Sequence, residues 1–334
     1  MTRNSPAFII DAAERVLMAD TLRRLADEVD GAELEQALDA FGFADLLTEA
    51  PRDAVSALFT TLGRAGSMST SMQDVLLQPL AKYVSVPTTD CNVVLPTIGA
   101  DLVGTADGEA LTVRGLVIGA RTANTFLAPV TIQGELTWIG LEGSSGISTR
   151  RVEGLDPALA MIEVTGIDVA ADVVVAGEPA VAAWNAVATA GRLALGYQIL
   201  GAVGQMIDLA VDHARGRVQF GRPIGSFQAV RNRLADAHVA RQGAAAALAG
   251  AWDADDAVLA GLLAKSLAGR AARIAATQCQ QVLAGIGFTA EHPFHRFLAR
   301  ALVLDSVLGS AAELPAVIGA RLISAGTIPR LVDL

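Results

Sequence analysis

Two stretches of the sequence carry residues whose types and spacing could hold a ligand. The first is Arg217-Val218-Gln219-Phe220-Gly221-Arg222-Pro223-Ile224-Gly225-Ser226-Phe227-Gln228. An arginine closes a long periodic stretch, Gly221 and Pro223 mark a turn, and Ser226 is expected to cap a new helix. Free backbone N–H groups and the positive end of a helix dipole favour an anion at such a place. Arg217 and Arg222 add planar forks that hold phosphate bidentately. The same residues also fit an ordinary helix–helix connection with solvated arginines. The second stretch is Gln281-Val282-Leu283-Ala284-Gly285-Ile286-Gly287-Phe288-Thr289, running on to Glu291-His292-Pro293. Its glycines would let a ligand approach the backbone closely; a helix C-cap at Gly285 would explain them equally well.

Other chemistries find no residues. No Gly-x-Gly-x-x-Gly follows a strand and no P-loop pattern occurs, which removes the two commonest nucleotide-binding loops. The histidines are His213, His238, His292 and His295. The last two are three apart, yet no third and fourth ligand joins them, so no metal is expected. Gly143-Ser144-Ser145-Gly146 lacks the spacing of a nucleophile elbow and reads as a hairpin tip. Cys91 and Cys279 give neither a disulfide framework nor a zinc spacing; they read as reduced thiols of a cytoplasmic protein.

The elements that must position these residues fall into three textures. The 334-residue chain is 52% hydrophobic and 18% charged, with a mean hydropathy of +0.44. It is therefore folded and can bury a large core without metal or disulfide. Its formal net charge of −10 argues against a nucleic-acid partner. Only two of the 25 basic residues are lysines, Lys82 and Lys265. Acids among the first 25 residues argue against a signal peptide. Gln198, Gln205 and Asp208 make the apolar run Leu193 to Val211 a buried helix rather than a membrane span.

Residues 1–85 read as a helical layer. Pro51 opens a helix with the stripe Val55, Leu58, Phe59, Leu62, and Gly63 and Gly66 follow as stops; Leu34, Leu38 and Phe41 make another stripe, ended by Gly42. Residues 86–178 turn to short Val/Thr/Ile runs. Turns are expected at Asp107-Gly108, near Gly134 and at Gly143 to Gly146, and a strand at Met161 to Val164, together an antiparallel sheet or barrel. Residues 179–334 return to long helices. Leu193, Tyr197, Leu200, Gly204, Ile207 and Val211 follow a 3.6 period. A helix from about Ala257 to Leu283 and a last segment after Pro293 complete an antiparallel bundle.

With this order of textures, the two ligand-type stretches resemble the acyl-CoA dehydrogenases. That family carries R-x-x-F-G-x-P-I-x-x-F-Q between two long helices, and the chain matches every fixed position from Arg217 to Gln228. The family's Q-x-x-G-G-x-G-F is matched from Gln281 to Phe288, except that Ala284 replaces the first glycine. The resemblance implies an α+β fold with an N-terminal helical domain, a middle antiparallel β-barrel domain and a C-terminal four-helix bundle. It also implies FAD and the α,β-dehydrogenation of an acyl-CoA, in which a glutamate removes the α-proton and the flavin takes the β-hydrogen as hydride. By the same resemblance Arg217 would hold the pyrophosphate of a neighbouring subunit's FAD and Phe220 its adenosine side. Phe227 and Gln228 would lie nearby, and Gln281 to Gly285 would line the adenosine diphosphate.

The chain departs from the family where its own active site would be. The catalytic glutamate belongs to an E-G-[TS] motif 27 positions after the glutamine; Leu308 stands there, in Leu308-Gly309-Ser310. Some members carry the base on the long helix, at the place of Arg192. Asp305 and Glu313 are the nearest acids, and neither is in register to substitute. In the region of the middle-domain T-E-P-x-x-G-S-D the chain reads Val93-Val94-Leu95-Pro96-Thr97-Ile98-Gly99-Ala100-Asp101, and W-I-[TS] has no counterpart in the stretch Val117-Ile118-Gly119-Ala120. The N-terminal domain is short for the family. Residues serving a neighbour's FAD are kept and those serving its own are lost. This is similar to the short subunit of actinobacterial α2β2 acyl-CoA dehydrogenases of steroid side-chain breakdown. Such a subunit shares FAD with a homologous partner that carries the catalytic glutamate and the acyl-CoA. An active homo-oligomer with another base, and a structural or regulatory relative without FAD, are the alternative expectations.

Overall fold

The computed structural model describes residues 11–84, 90–106, 110–143 and 146–326. Five helices come first: α1 (Ala12–Glu28), α2 (Gly31–Phe41), α3 (Phe43–Glu49), α4 (Pro51–Ala65) and α5 (Ser71–Leu80). Asp11 and Glu14 close a capping box at the start of α1. Pro51, with its φ already helical, opens α4, whose stripe Val55, Leu58, Phe59 and Leu62 is buried. Gly42 and Gly66 end α2 and α4 in left-handed conformations. Gly63 is not a stop. It lies inside α4 and marks a helix crossing described below.

Nine strands follow: β1 (Cys91–Val93), β2 (Leu95–Pro96), β3 (Gly104–Ala106), β4 (Leu111–Val117), β5 (Thr125–Ile132), β6 (Glu135–Glu142), β7 (Ile147–Arg151), β8 (Ile162–Gly166) and β9 (Asp172–Ala176). They make one sheet in the order β7-β8-β4-β3-β5-β6-β9, with β1 on β5 and β2 on β4. The sheet is mostly antiparallel, but β3 and β1 each run parallel to β5. For β3 the reason is geometric: it lies between β4 and β5, which oppose each other, so it must be parallel to one of them. Gln133 and Gly134, with φ of 51° and 83°, close the β5–β6 hairpin as a type I′ turn requires. The turn expected at Asp107-Gly108 and the tip at Ser144-Ser145 lie outside the described residues. Val113, Val130, Ile139 and Val164 build a sheet core separate from that of the helices.

The rest is helical: α6 (Glu178–Gly216), a short hairpin of β10 (Val218–Gln219) and β11 (Arg222–Pro223), then α7 (Gln228–Gly250), α8 (Ala257–Leu283), α9 (Phe294–Ser306) and α10 (Leu314–Ala325). At 39 residues α6 is about 58 Å long. By length and composition it could cross a membrane, but its most apolar window is 78% buried within the protein. It is the core helix against which α4, α5, α7, α8 and α9 pack. The α4–α6 contact is made by backbone: a Cβ on Gly63 would overlap the Gln198 carbonyl, and one on Gly201 the Thr60 carbonyl. The sheet is tied to the helices by Trp138 Nε1, donating to Ala180 O at 3.2 Å, and by the buried Arg300–Asp156 ion pair.

Gly63→Ala should therefore destabilise the fold by about 2–3 kcal/mol, although alanine is the better helix former. Gly243→Ala, where a Cβ meets nothing, should stabilise it by up to about 1 kcal/mol. Urea denaturation of both variants checks the pair.

Candidate functional site

The backbone leaves α6 at Arg217, whose N–H still reaches the His213 carbonyl at 2.8 Å. Val218 and Gln219 then pair with Pro223 and Arg222. The tight turn places Phe220 and Gly221 at φ of 52° and 79°. A left-handed phenylalanine is strained, and this one holds its ring 92% exposed. The ring meets Phe227 edge-on with centroids 6.1 Å apart. The Arg222 guanidinium stacks 4.3 Å from the Phe227 centroid, so its planar face is committed. The Arg217 guanidinium makes no ion pair or side-chain hydrogen bond among the described residues. Ser226 does not cap α7: its hydroxyl donates to Pro223 O at 2.8 Å. The N-cap is Phe227, which offers no side-chain acceptor. The hairpin had already turned the chain before Ser226, leaving its hydroxyl beside Pro223. Gln228 Nε2 donates to Asn232 Oδ1 at 2.8 Å.

At the far end of α8 the positive φ falls on Ala284 (52°), not on Gly285. This is the position where the resembled family has glycine. Gln281 and Gly285 are exposed. His213, near the end of α6, is pushed below its ordinary pKa by burial first, then by His292 and Arg217. The ends of α6 and of the Gln281–His292 segment thus share one end of the bundle. No hydrogen bond among the described residues joins Arg217 to Gln281.

The opposite face carries an open cavity of about 1120 Å³, lined among others by Ser69, Thr70, Asp74, Gly119, Ala120 and Arg121. Gln73 on α5 is fully buried. Its Nε2 donates to Ile118 O at 2.6 Å and its Oε1 accepts from Val93 N at 2.7 Å. One amide thus binds the two strand ends where flavin-facing motifs would be expected. A Cβ on Gly119 would overlap the Ser69 carbonyl, so no larger residue fits at this position. Leu308 is buried, and its side chain packs where α5 and α6 meet, against Gly191. Arg192 Nε donates to Leu308 O at 3.0 Å, which puts the two places for a family base side by side, both without a carboxylate.

Behind Leu308 lies a cluster that the sequence reading did not single out. The fully buried Lys265 donates to Asp305 O at 2.8 Å and Gly309 O at 3.1 Å, with its ammonium 3.8 Å from the Asp305 carboxylate. Asp305 also accepts from Ala311 N and Arg273. Glu313 is held by the Ser310 N–H and hydroxyl, which keep its pKa low. Neither acid is a free base. Burial lowers Arg192 to about 10 and Lys265 to about 8. The available signal was a lysine within an apolar helix of an arginine-rich chain. Cys279 is buried and raised to about 12. No group of three metal-ligating side chains occurs among the described residues.

Residues 181–323 match the family model for the acyl-CoA dehydrogenase C-terminal domain. This part of the chain is similar to the C-terminal domain of the acyl-CoA dehydrogenases. Acyl-CoA dehydrogenase IpdE2 of Mycobacterium tuberculosis is 37% identical over 127 residues, 38% of this chain. The chain spans only about two-fifths (40%) of that relative's length. The acyl-CoA dehydrogenase fold, however, extends over the whole chain. The ChsE4–ChsE5 complex from Mycobacterium tuberculosis superposes with a TM-score of 0.76 at 23% identity, over 97% of this chain and 100% of that one. The Tcur3481–Tcur3483 steroid ACAD G363A variant gives 0.77 at 20% identity, over 94% and 98%.

Two measurements check the geometry. Ala284→Gly should stabilise the chain by about 1–2 kcal/mol, since it relieves a left-handed non-glycine residue. For Lys265 the folded pKa, about 8, lies below the ordinary 10.5. The unfolded chain therefore binds more protons between these values, and stability should rise with pH through that window. The rise is read as the difference from Lys265→Met, which cancels the opposing titration of Cys279. A flat difference would mean that Lys265 is not buried as a cation.

Proposed function

We propose that this chain is the non-catalytic subunit of a heteromeric, FAD-dependent acyl-CoA dehydrogenase. It would complete an FAD site seated mainly in a homologous partner that carries the catalytic glutamate. The observation that carries the reading is the contrast between two faces. Gln73 is committed to Val93 and Ile118 where flavin-facing motifs would be expected, and Arg192 and Leu308 stand at the two places for a base. Arg217 and Phe220 are exposed at the other end.

FAD, when bound, accepts the β-hydrogen as hydride while a glutamate takes the α-proton. This chain's residues contribute binding rather than proton transfer. Arg217 offers a fork to the pyrophosphate, charge-assisted and bidentate. Phe220 and Phe227 give aromatic faces to the adenosine side, Gln228 lies beside them, and Gln281 and Gly285 line the diphosphate. Arg192 and Leu308 offer no base, and Asp305 and Glu313 are already engaged, which leaves an active homo-oligomer without a proton acceptor. The exposed Val239, Leu263 and Leu267 on α7 and α8 supply apolar surface for the partner. The likeness to two-protein complexes supports an α2β2 assembly, and a steroid side-chain CoA ester is the substrate class it favours.

Expressed alone, the chain should bind no flavin and reduce no acceptor with any acyl-CoA. Co-expressed with its homologous partner, it should give one FAD per two chains by absorbance and mass. In that complex Arg217→Ala should weaken FAD retention by roughly tenfold to a hundredfold, and Arg217→Lys should restore only part. Stoichiometric FAD in the chain alone would overturn the proposal. A flavin-free complex would point instead to a structural relative.

A further inference from the structure

On the other side of α5 from Gln73 lies a cavity of about 470 Å³ that the FAD reading does not use. The helix separates the two places. Gln73, Leu76 and Leu80 are buried toward the strands and α6, whereas Val75, Pro79 and Lys82 line the cavity. Val55 from α4, Leu193 from α6 and Val258 from α8 complete an apolar wall, and Trp252 forms one side. Its size and lining are those of a small-molecule site.

Its polar lining residues are Asn185, Thr189, Lys82 and Gln78, whose Nε2 already donates to Leu47 O at 2.9 Å. The Thr189 hydroxyl is buried and has no hydrogen-bond partner. Buried polar groups are rarely left so. Asn185 lies one turn earlier on the same face of α6 and makes no side-chain hydrogen bond among the described residues. Lys82 stands exposed at the rim with no ion pair among the described residues. Asp253 and Asp256, carboxylates close to the rim in sequence, are already paired with Arg52 and Arg321. Asp255 is exposed to solvent.

We infer that this cavity binds an apolar carboxylic acid. The hydrocarbon lies against Val55, Val75, Leu193 and Val258. The carboxylate meets Lys82, with Asn185 available to its oxygens. The apolar wall supplies affinity through buried area, and the single cation at the rim selects an acid over a neutral chain.

The test titrates the full chain with sodium decanoate and with 1-decanol, following tryptophan fluorescence and heat. Trp252 is in the wall; Trp138 and Trp184 pack on each other elsewhere, with centroids 6.3 Å apart. Decanoate should bind saturably and at least threefold more tightly than decanol. Lys82→Gln should remove that preference. Ala190→Phe, which fills the cavity, should weaken decanoate at least tenfold, and Trp252→Phe should abolish the fluorescence change while the heat remains. Should Ala190→Phe not fold, Ala186→Leu fills the same space from the preceding turn. No saturable binding, equal affinity for decanol, or undiminished binding in the filled variants would each overturn the inference. None of these outcomes depends on FAD or a partner chain, so they are separate from the test of the dehydrogenase reading.

Discussion

Backbone against backbone, where α4 crosses α6 at Gly63 and Gly201, is the contact that sets everything else. Side chains can adjust by a rotamer; two carbonyls seated in glycine gaps cannot. The crossing therefore fixes both the depth and the rotation of α6. It turns Gly191 and Arg192 toward Leu308 and sets Gln198 against the Ser67 carbonyl. The same helix, about 40 residues long, then carries the register to its far end, where Arg217 leaves the bundle.

Polar pins hold the remaining layers to this axis. Gln73 joins α5 to two strand ends, Arg300 and Asp156 join α9 to the sheet, and Lys265 ties α8 to the turn after α9. Each is buried, and buried polar groups specify an arrangement more than they stabilise it. Removing one partner leaves the other desolvated and unpaired, which costs more than the pair contributes. The turn at Leu308 and Gly309, both with positive φ, is thus held from α6 and α8 together.

Strain and function run together in this chain. Non-glycine residues with positive φ in the helical region from α6 onward are Phe220, Ala284 and Leu308, among the described residues. All three lie in segments where the family places cofactor or base. Such strain persists only where the surroundings over-determine it. At Phe220 it holds an aromatic ring out toward solvent. At Leu308 it drives an apolar side chain inward to the α5–α6 junction.

The sequence by itself determined the textures, the helix stripes, and the two motifs from Arg217 to Gln228 and Gln281 to Phe288. These are local properties: periodicity, turn chemistry and fixed spacing within a dozen residues. It also determined that no carboxylate stands at position 192 or 308. What it could not determine was anything made by residues far apart in the chain. Gln73 lies 45 residues from Ile118, and Lys265 lies 40 from Asp305. A buried glutamine or lysine looks in sequence like any surface polar residue until packing removes its water. The parallel direction of β3 against β5, the left-handed turn falling on Ala284 rather than Gly285, and the hydroxyl of Ser226 turned back to Pro223 were likewise decided by neighbours in space. Tertiary structure alone showed that Gln73 joins Val93 to Ile118 and that Arg192 meets Leu308, because that depends on which surfaces meet.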